Sequence, residues 1–189
     1  QQKGIDYITG EAVYVENKTF QVNQQFCYGK KVLLATGSSP FIPNINGLSD
    51  VNFLTTDTLF NMTTLPKQLV TIGGGVIGVE LAFAFNSLGV SVTIIEAADD
   101  ILLTVDEEAR TLVKQNLLRK GIKTITKASI QQVTQHHVIV NNQKISFDAL
   151  LVATGRQPNV TLPLAMKLQL HDKQNFVKVN DYYETSMKD

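Results

Sequence analysis

The feature that most constrains this chain is a glycine-rich segment, GGGVIG at positions 73–78, set between two apolar patterns. Residues 68–72 before it form a short apolar run of the kind that buried parallel strands show. Residues 76–88 after it carry apolar side chains at helical spacing. A strand, a G-x-G-x-x-G turn and a helix in that order predict a turn that holds the pyrophosphate of a dinucleotide.

Each glycine of this turn has its own expected task. Gly73 permits the tight turn, Gly75 lets the backbone approach a pyrophosphate, and Gly78 lets the helix pack closely against the strand. The N–H groups at the start of the helix, together with the positive end of its dipole, favour phosphate binding. The other residues of the turn that we expect at the cofactor are Gly74, Val76 and Ile77.

An acidic residue follows at a suitable distance. Residues 91–95 form the next apolar run, and Glu96 ends it, 18 residues after Gly78. A carboxylate about 20 residues beyond the turn accepts hydrogen bonds from the adenosine ribose. It also repels a 2′-phosphate, and residues 97–100 supply no Arg or Lys for one. The pattern favours NAD(H) over NADP(H); the alternative is that Glu96 is an ordinary solvated acid at a strand end.

The rest of the chain predicts a doubly wound α/β fold with a Rossmann-like parallel sheet and a small antiparallel β insert. A second helix is expected over residues 106–120, with Thr104 and Glu107 as its capping box. The expected buried face of the first helix carries Ile77, Leu81, Ala84 and Leu88. Further strands are expected at residues 5–9, 12–15, 20–22, 31–35, 91–95 and 149–153, with short strands between 123 and 147.

Two stretches of the sequence repeat at an offset of 118 residues. Residues 20–40 align without a gap with residues 138–158, and both copies contain the pattern Ala-Thr-Gly-x-x-Pro. Strand periodicity does not require that pattern, so we interpret it as a trace of duplication rather than a chance similarity. The second copy ends the unit that contains Gly73, and the equivalent glycine turn of the first copy would lie before residue 1. The chain is therefore expected to be a fragment with one complete nucleotide-binding unit and the tail of another.

Composition excludes several classes of function. Lys and Arg number 17, as do Asp and Glu, so the basic surplus of a nucleic-acid binder is absent. No apolar run approaches the roughly 18 residues of a membrane span, and no basic-then-apolar leader occurs, so we expect a cytoplasmic protein. The single cysteine, Cys27, excludes a cysteine-pair redox centre within this chain. No zinc or calcium ligand spacing occurs, and no metal site is expected.

Residues 72–80, 153–159 and 35–40, together with Glu96, resemble the flavin-dependent pyridine nucleotide–disulfide oxidoreductases. The dihydrolipoamide dehydrogenase and mercuric reductase branch is most similar, and the resemblance covers essentially the whole chain. It implies an FAD domain interrupted by an NAD(P) domain, in a homodimer. Residues 1–62 would complete the first half of the FAD domain and cross over, residues 63–154 would bind NAD(H), and residues 155–189 would return to the FAD domain.

The resemblance also implies roles for single residues. Ala128 would lie near the adenine, and Gly155 would line the nicotinamide side. Glu80 matches the family glutamate that pairs with a lysine beside the flavin; taken alone, it is an acid on the first helical turn that complements the helix dipole. Arg156 could steady a phosphate, link the two nucleotide domains or form a surface ion pair. Backbone contacts to FAD are implied for Ala12, Thr36, Gly37 and Ser38.

For the intact protein, the resemblance implies hydride transfer from NADH to the flavin, and then electron transfer to a disulfide or another small-molecule acceptor. A dihydrolipoyl group, a mercuric ion and a low-molecular-weight disulfide are all open. The family's cysteine pair would lie before residue 1, so this chain alone is expected to bind NADH and to be inactive. Two alternatives remain: a flavin NADH oxidase or peroxidase with a single redox cysteine, and a non-enzymatic NADH-sensing module.

Overall fold

A computed structural model describes residues 4–172 and 175–187 of the chain. The chain forms two compact units, one of Gln1–Ser39 with Gln157–Asp189 and one of Pro40–Arg156. The strands are β1 (Ala12–Glu16), β2 (Thr19–Val22), β3 (Gln25–Tyr28), β4 (Ser38–Pro40), β5 (Gln68–Ile72), β6 (Ser91–Ile95), β7 (Lys123–Ile125), β8 (Ile130–Val133), β9 (His137–Val140), β10 (Gln143–Ser146), β11 (Ala149–Val152) and β12 (Arg156–Pro158). The helices are α1 (Val76–Ser87), α2 (Glu107–Arg119) and α3 (Thr161–Ala165), with short 3-10 turns at Leu48–Asp50 and Leu59–Asn61.

The first unit contains a three-stranded antiparallel sheet in the order β1-β2-β3. Asn17 and Lys18 join β1 to β2 with φ angles of 46° and 59°. Two consecutive left-handed residues match the twist of a tight hairpin. The strands predicted at residues 12–15 and 20–22 are thereby confirmed.

Two strands predicted in this unit are absent, since residues 5–9 and 31–35 join no strand ladder in the part of the chain that the structure describes. Leu33 is 92% exposed. A buried parallel strand needs a neighbouring strand to pair its backbone groups and a packing layer to cover its side chains. The described residues of this unit supply neither for residues 31–35, because β1, β2 and β3 pair among themselves.

The second unit is built on a four-stranded parallel sheet in the order β11-β5-β6-β7. One face packs against α1 and α2 through residues such as Leu69, Ile94 and Leu151. The opposite face packs through Val70 and Val152 against the antiparallel sheet β10-β9-β8. The antiparallel strands therefore form one whole layer of the unit. The predicted parallel sheet with a small antiparallel insert is confirmed.

The first helix begins and ends nearly where the pattern placed it, and Gly89 follows it with a left-handed φ of 87°. Of the predicted buried face, Leu81 packs against the core, but the rest of the prediction is wrong. Ile77 and Leu88 are 37% and 61% exposed, whereas the buried positions of the helix are Gly78, Val79, Ala82 and Phe85. Gly78 determines which face of α1 is buried, because a side chain at this position would prevent the close approach of α1 to Gly73.

The second helix starts two residues later than the capping-box prediction requires. Its N-cap is Asp106, whose carboxylate accepts hydrogen bonds from the N–H groups of Glu108 and Ala109 at 2.9 and 3.5 Å. Thr104 and Glu107 do not form the predicted box, because Asp106 satisfies the first free N–H groups of the helix itself. Within residues 4–172 and 175–187, no helix is long and apolar enough to cross a membrane.

The duplication seen in the sequence is also present in the backbone. The β2–β3 hairpin corresponds to the β9–β10 hairpin at the same offset, with left-handed Asn23 and Asn141 at equivalent turn positions. The two copies differ in the segment that follows. Residues 31–35 are irregular in the first copy, whereas the matching residues of the second copy form β11 within the parallel sheet.

Candidate functional site

The glycine-rich turn lies at the carboxyl end of β5, in the middle of the parallel sheet. Gly73 has a φ of 110°, which side-chain-bearing residues rarely adopt, and a Cβ there would collide with the carbonyl of Ala153. Its amide donates a 2.8 Å hydrogen bond to the carbonyl of Ile95 at the end of β6. The backbone therefore requires glycine at this position for both conformation and space.

The two later glycines of the motif differ in a way that bears on function. A Cβ at Gly78 would overlap the carbonyl of Gly73, so the fold itself demands a glycine there. A Cβ at Gly75 would meet no protein atom within 4 Å. Its φ of −72° also suits any residue. Among the described residues, no steric contact requires a glycine at position 75, and the open space beside it fits a closely approaching ligand.

The start of α1 is arranged to receive an anion. Gly75 is its N-cap, no side chain caps its first N–H groups, and its first turn contains no acidic residue. The first N–H groups of a helix have no partner within the helix, and the positive end of the dipole lies with them. Val76 and Ile77 provide these groups at the edge of the open space.

Glu96 stands at the carboxyl end of β6 and is half-buried. Its carboxylate accepts hydrogen bonds from the Gly74 amide at 2.6 Å and from the Ala98 amide at 2.8 Å. Each oxygen accepts one of these bonds, so the side chain is held in a single orientation. A carboxylate has about four acceptor positions. Two of them therefore stay available to hydroxyl groups of a ligand.

These elements enclose a cavity of about 650 Å³ at the carboxyl ends of the parallel strands. Open α/β sheets bind their ligands at this edge, where the strand order reverses, as it does here between β11 and β5. The volume lies within the usual range of small-molecule sites. The predicted cofactor residues that line the cavity are Gly73, Gly75, Val76, Ile77, Glu96, Ala128 and Gly155.

Sequence reasoning missed part of the lining, namely Pro43, Ile45, Ile130 and Thr154. Pro43 and Ile45 lie in a segment without regular structure, and their alternate spacing was the available signal. Thr154 belongs to the repeated Ala-Thr-Gly pattern. Its hydroxyl donates a 2.7 Å hydrogen bond to the carbonyl of Phe41, whose amide donates in turn to the carbonyl of Gly155.

Several predicted residues lie outside the cavity lining. Gly74 contributes its amide to Glu96, and Gly78 packs the helix. Glu80 is exposed and sits in the second turn of α1 rather than the first, because the helix begins at Val76. Arg156 forms an ion pair with Asp57 at 2.9 Å and donates to Thr56 at 2.8 Å.

The residues predicted to contact FAD belong to the first unit. Ala12 is exposed on β1. Thr36 and Gly37 each use their carbonyl to accept a hydrogen bond from Asn159, at 2.9 and 3.1 Å. Ser38 begins β4. Gly37 has a φ of 68°, and the nearest atom to a Cβ there would be 3.9 Å away, so its surroundings leave room for a group that approaches the backbone.

A loop of residues 97–102 connects this site to α2. The Lys114 ammonium donates a 2.8 Å hydrogen bond to Asp100, and the amide of Ile101 donates another at 2.9 Å. The hydrogen bond from Lys114 is the main reason why the pKa of Asp100 lies below its ordinary value. The Ile101 amide and the charges of Lys114 and Arg110 act in the same direction, against a smaller opposing effect of burial.

A family model described as pyridine nucleotide-disulphide oxidoreductase matches residues 1–189. The chain belongs to this family. A mercuric reductase from Staphylococcus aureus is 36% identical over 195 residues, which cover 98% of this chain and 36% of that protein. A dihydrolipoyl dehydrogenase from Acholeplasma laidlawii is 34% identical over 99% of this chain and 57% of its own length.

Solved structures agree with this assignment. The Cu(II) complex of the HOCl-induced flavoprotein disulfide reductase RclA from Escherichia coli matches with a TM-score of 0.90 and 28% identity, covering 98% of this chain and 44% of the other. The predicted family and fold class are confirmed. The family consists of oxidoreductases that use FAD and a pyridine nucleotide. The chain spans between about a third and just over half of the proteins it matches here.

Proposed function

We propose that the unit Pro40–Arg156 binds NAD(H) in the cavity between Gly75 and Glu96, as the nucleotide-binding part of an FAD-dependent oxidoreductase. One observation carries the proposal. An uncapped helix N-terminus, a glycine with open space at its Cβ position and a doubly anchored carboxylate all meet at one cavity. Together they match the phosphate and ribose of a dinucleotide, and no steric contact with the described residues requires a glycine at position 75.

The pyrophosphate would lie over Gly75. The amides of Val76 and Ile77 would donate hydrogen bonds to its oxygens, and the helix dipole would favour its charge. A side chain at position 75 would occupy the same space. The backbone therefore contributes most of the pyrophosphate contact, which is why glycine is needed there.

Glu96 would accept hydrogen bonds from the adenosine ribose hydroxyls and select NAD(H) over NADP(H). The amides of Gly74 and Ala98 fix the carboxylate before the ligand arrives, so little side-chain entropy is lost on binding. A 2′-phosphate would bring a second negative charge next to it. Residues 97–100 offer no cation to compensate for that charge. Ala128 would lie beside the adenine.

At the other end of the cavity, Thr154 and Gly155 would border the nicotinamide. Gly155 has a φ of 116°, and a Cβ there would meet nothing within 4 Å. In the intact protein, Ala12, Thr36, Gly37 and Ser38 would hold FAD, a cofactor whose chemistry is hydride acceptance and two-electron transfer. Glu80 would act near the nicotinamide. Its exposure leaves it free to pair with a cation from outside the chain.

The net reaction that we propose oxidises NADH to NAD⁺ and reduces an acceptor by two electrons. With a disulfide as acceptor, the sulfur–sulfur bond breaks and two thiols form, with the hydride and one proton supplying the two hydrogens. A lipoyl disulfide or a mercuric ion as the acceptor is equally compatible with the relatives. The homodimer and the cytoplasmic location are proposed on the family resemblance, and we propose that the 189-residue chain binds NADH without turnover.

The proposal is tested by titrating the 189-residue chain with NADH and with NADPH and following the fluorescence of the dihydronicotinamide. We expect saturable binding of NADH and at least tenfold weaker binding of NADPH. Binding of neither nucleotide would contradict the cavity assignment. Equal affinities would leave the site intact but would contradict the role of Glu96 in selecting the cofactor.

A further inference from the structure

Outside the cavity, one carboxylate on the loop after β6 faces two cations of α2. Asp100 accepts a 2.8 Å hydrogen bond from the Lys114 ammonium, and the Nε atom of Arg110 lies 3.7 Å from the same oxygen. Its other oxygen accepts a hydrogen bond from the amide of Ile101. None of these four residues lines the dinucleotide cavity. Their charges therefore cannot contact the nucleotide that the proposed function places there.

Ile101 and Leu102, which follow Asp100, contact the glycine turn at Gly74. Ile101 is 1% exposed, and its Cγ2 atom lies 2.6 Å from where a Cβ of Gly74 would be. The amide of Leu102 donates a 2.8 Å hydrogen bond to the carbonyl of Gly74. The amide of Gly74 donates in turn to Glu96. The carbonyl of Gly74 is thus held by a hydrogen bond from this loop, and its amide is held by a hydrogen bond to the residue at the end of β6.

We propose that Asp100, Lys114 and Arg110 form a positioning cluster that holds Ile101 and Leu102 against Gly74, and so fixes the pyrophosphate turn and the Glu96 carboxylate for the nucleotide. This inference rests on the proposed function. The three residues are positioning residues, since they act through the loop and not by contact with the ligand. The adenosine and pyrophosphate half of NADH depends on them, and the nicotinamide does not.

We expect loss of this cluster to change nucleotide binding more than it changes stability. The Lys114 side chain is 50% exposed, and those of Arg110 and Asp100 are 19% and 22% exposed. Ion pairs that water can reach contribute little to folding. Nucleotide affinity is more sensitive to loss of the cluster, because the Gly74 amide and the Glu96 carboxylate must both keep their directions when the nucleotide binds.

The test compares nucleotide affinity and thermal stability in the 189-residue chain. We expect Asp100→Asn and Lys114→Met to weaken both NADH and ADP-ribose by the same factor, about three- to tenfold. ADP-ribose lacks the nicotinamide. Equal losses of affinity for NADH and ADP-ribose would therefore show that the effect acts on the adenosine and pyrophosphate part that both ligands contain. The double variant should lose no more affinity than either single variant. Lys114→Arg keeps a donor at this place and should restore binding, whereas Lys120→Met, at the exposed end of α2, is the matched control.

The possible results distinguish failure of the positioning role from failure of the proposed function. Unchanged affinity in Asp100→Asn and Lys114→Met, while the wild-type chain binds ADP-ribose, would overturn the positioning role and leave the proposed function standing. Additive losses in the double variant, or the same loss in Lys120→Met, would also overturn it. A wild-type chain that binds neither NADH nor ADP-ribose would overturn the proposed function together with this inference.

Discussion

The amide of Gly74 donates a 2.6 Å hydrogen bond to Oε2 of Glu96 and so joins the glycine turn to the acidic end of the next strand. The two parts of the motif lie 22 residues apart in sequence and are one hydrogen-bonded unit in space. The carboxylate therefore has a structural task in addition to the ligand contact that we propose. Substitutions at Glu96 should change both stability and nucleotide affinity.

Replacing Glu96 by alanine should weaken NADH binding by about 1–3 kcal/mol, because charge-assisted hydrogen bonds to the ribose are lost. The same change leaves the Gly74 and Ala98 amides without their carboxylate partner, so the free energy of unfolding should also fall. Fluorescence titration and urea unfolding measure the two effects. Glu108→Ala, an exposed acid of α2, is the control. Full retention of NADH affinity in a folded Glu96→Ala chain would remove this residue from the site.

Two glycines of the turn should respond in opposite ways. Gly75→Val should lower the thermal midpoint less than Gly78→Ala does, because a Cβ at position 75 meets no described protein atom within 4 Å, and should nearly abolish NADH binding by filling the open space. Gly78→Ala should lower the midpoint, because its Cβ would overlap the Gly73 carbonyl. Calorimetry and titration on both variants check this contrast. Normal NADH binding by Gly75→Val would contradict the placement of the pyrophosphate.

Local pattern was sufficient to predict the strand, turn and helix around Gly73, since each element carries its own signal and packs against sequence neighbours. It failed for residues 31–35, which repeat the pattern of β11. The apolar pattern of a segment shows which of its side chains could be buried. Whether they are buried depends on whether another strand lies beside the segment. Residues 149–152 pair with β5, and Leu33 is left 92% exposed.

Residues of the candidate cavity could be predicted where one physical reason requires one residue type, as with Gly73 and Glu96, and their roles toward a ligand stay predictions. The contribution of Pro43 and Ile45 to the cavity lining could not be predicted, because it depends on how a connection without regular structure crosses the cavity. The buried face of α1 was missed for a related reason. Hydrophobicity favoured Ile77 and Leu88, but the close approach at Gly78 rotates the helix toward Val79 and Ala82.

Asp100 should make stability dependent on pH in the acid range. Its pKa in the folded chain is lowered mainly by the hydrogen bond from Lys114. The folded value lies below the unfolded value of about 3.9, so the contribution is complete above that pH and is lost as the pH falls through the folded pKa. Urea unfolding of wild type and Asp100→Asn should show a constant difference between about pH 5 and 7 that shrinks below about pH 4. A difference unchanged down to pH 3 would contradict this contribution.

Thr71 carries a hydroxyl at a fully buried position of β5, and the oxygen has no hydrogen-bond partner among the described residues. Burying such a group without a partner costs about 1–3 kcal/mol. Thr71→Val keeps the side-chain shape and should raise the free energy of unfolding by about 1 kcal/mol. Thr124→Val on the exposed edge strand is the control. A lower unfolding free energy in Thr71→Val would show that the hydroxyl is bonded in solution.

The most direct test of the central claim is to map the nucleotide by NMR on the 189-residue chain, following backbone amide shifts as NADH is added. We expect the largest changes at the amides of Gly75, Val76 and Ile77, with smaller ones at Glu96, Ala128 and Gly155. Saturating shifts confined to these positions would place the dinucleotide in the cavity. Saturable NADH binding that leaves the amides of Gly75–Ile77 unshifted would contradict the account.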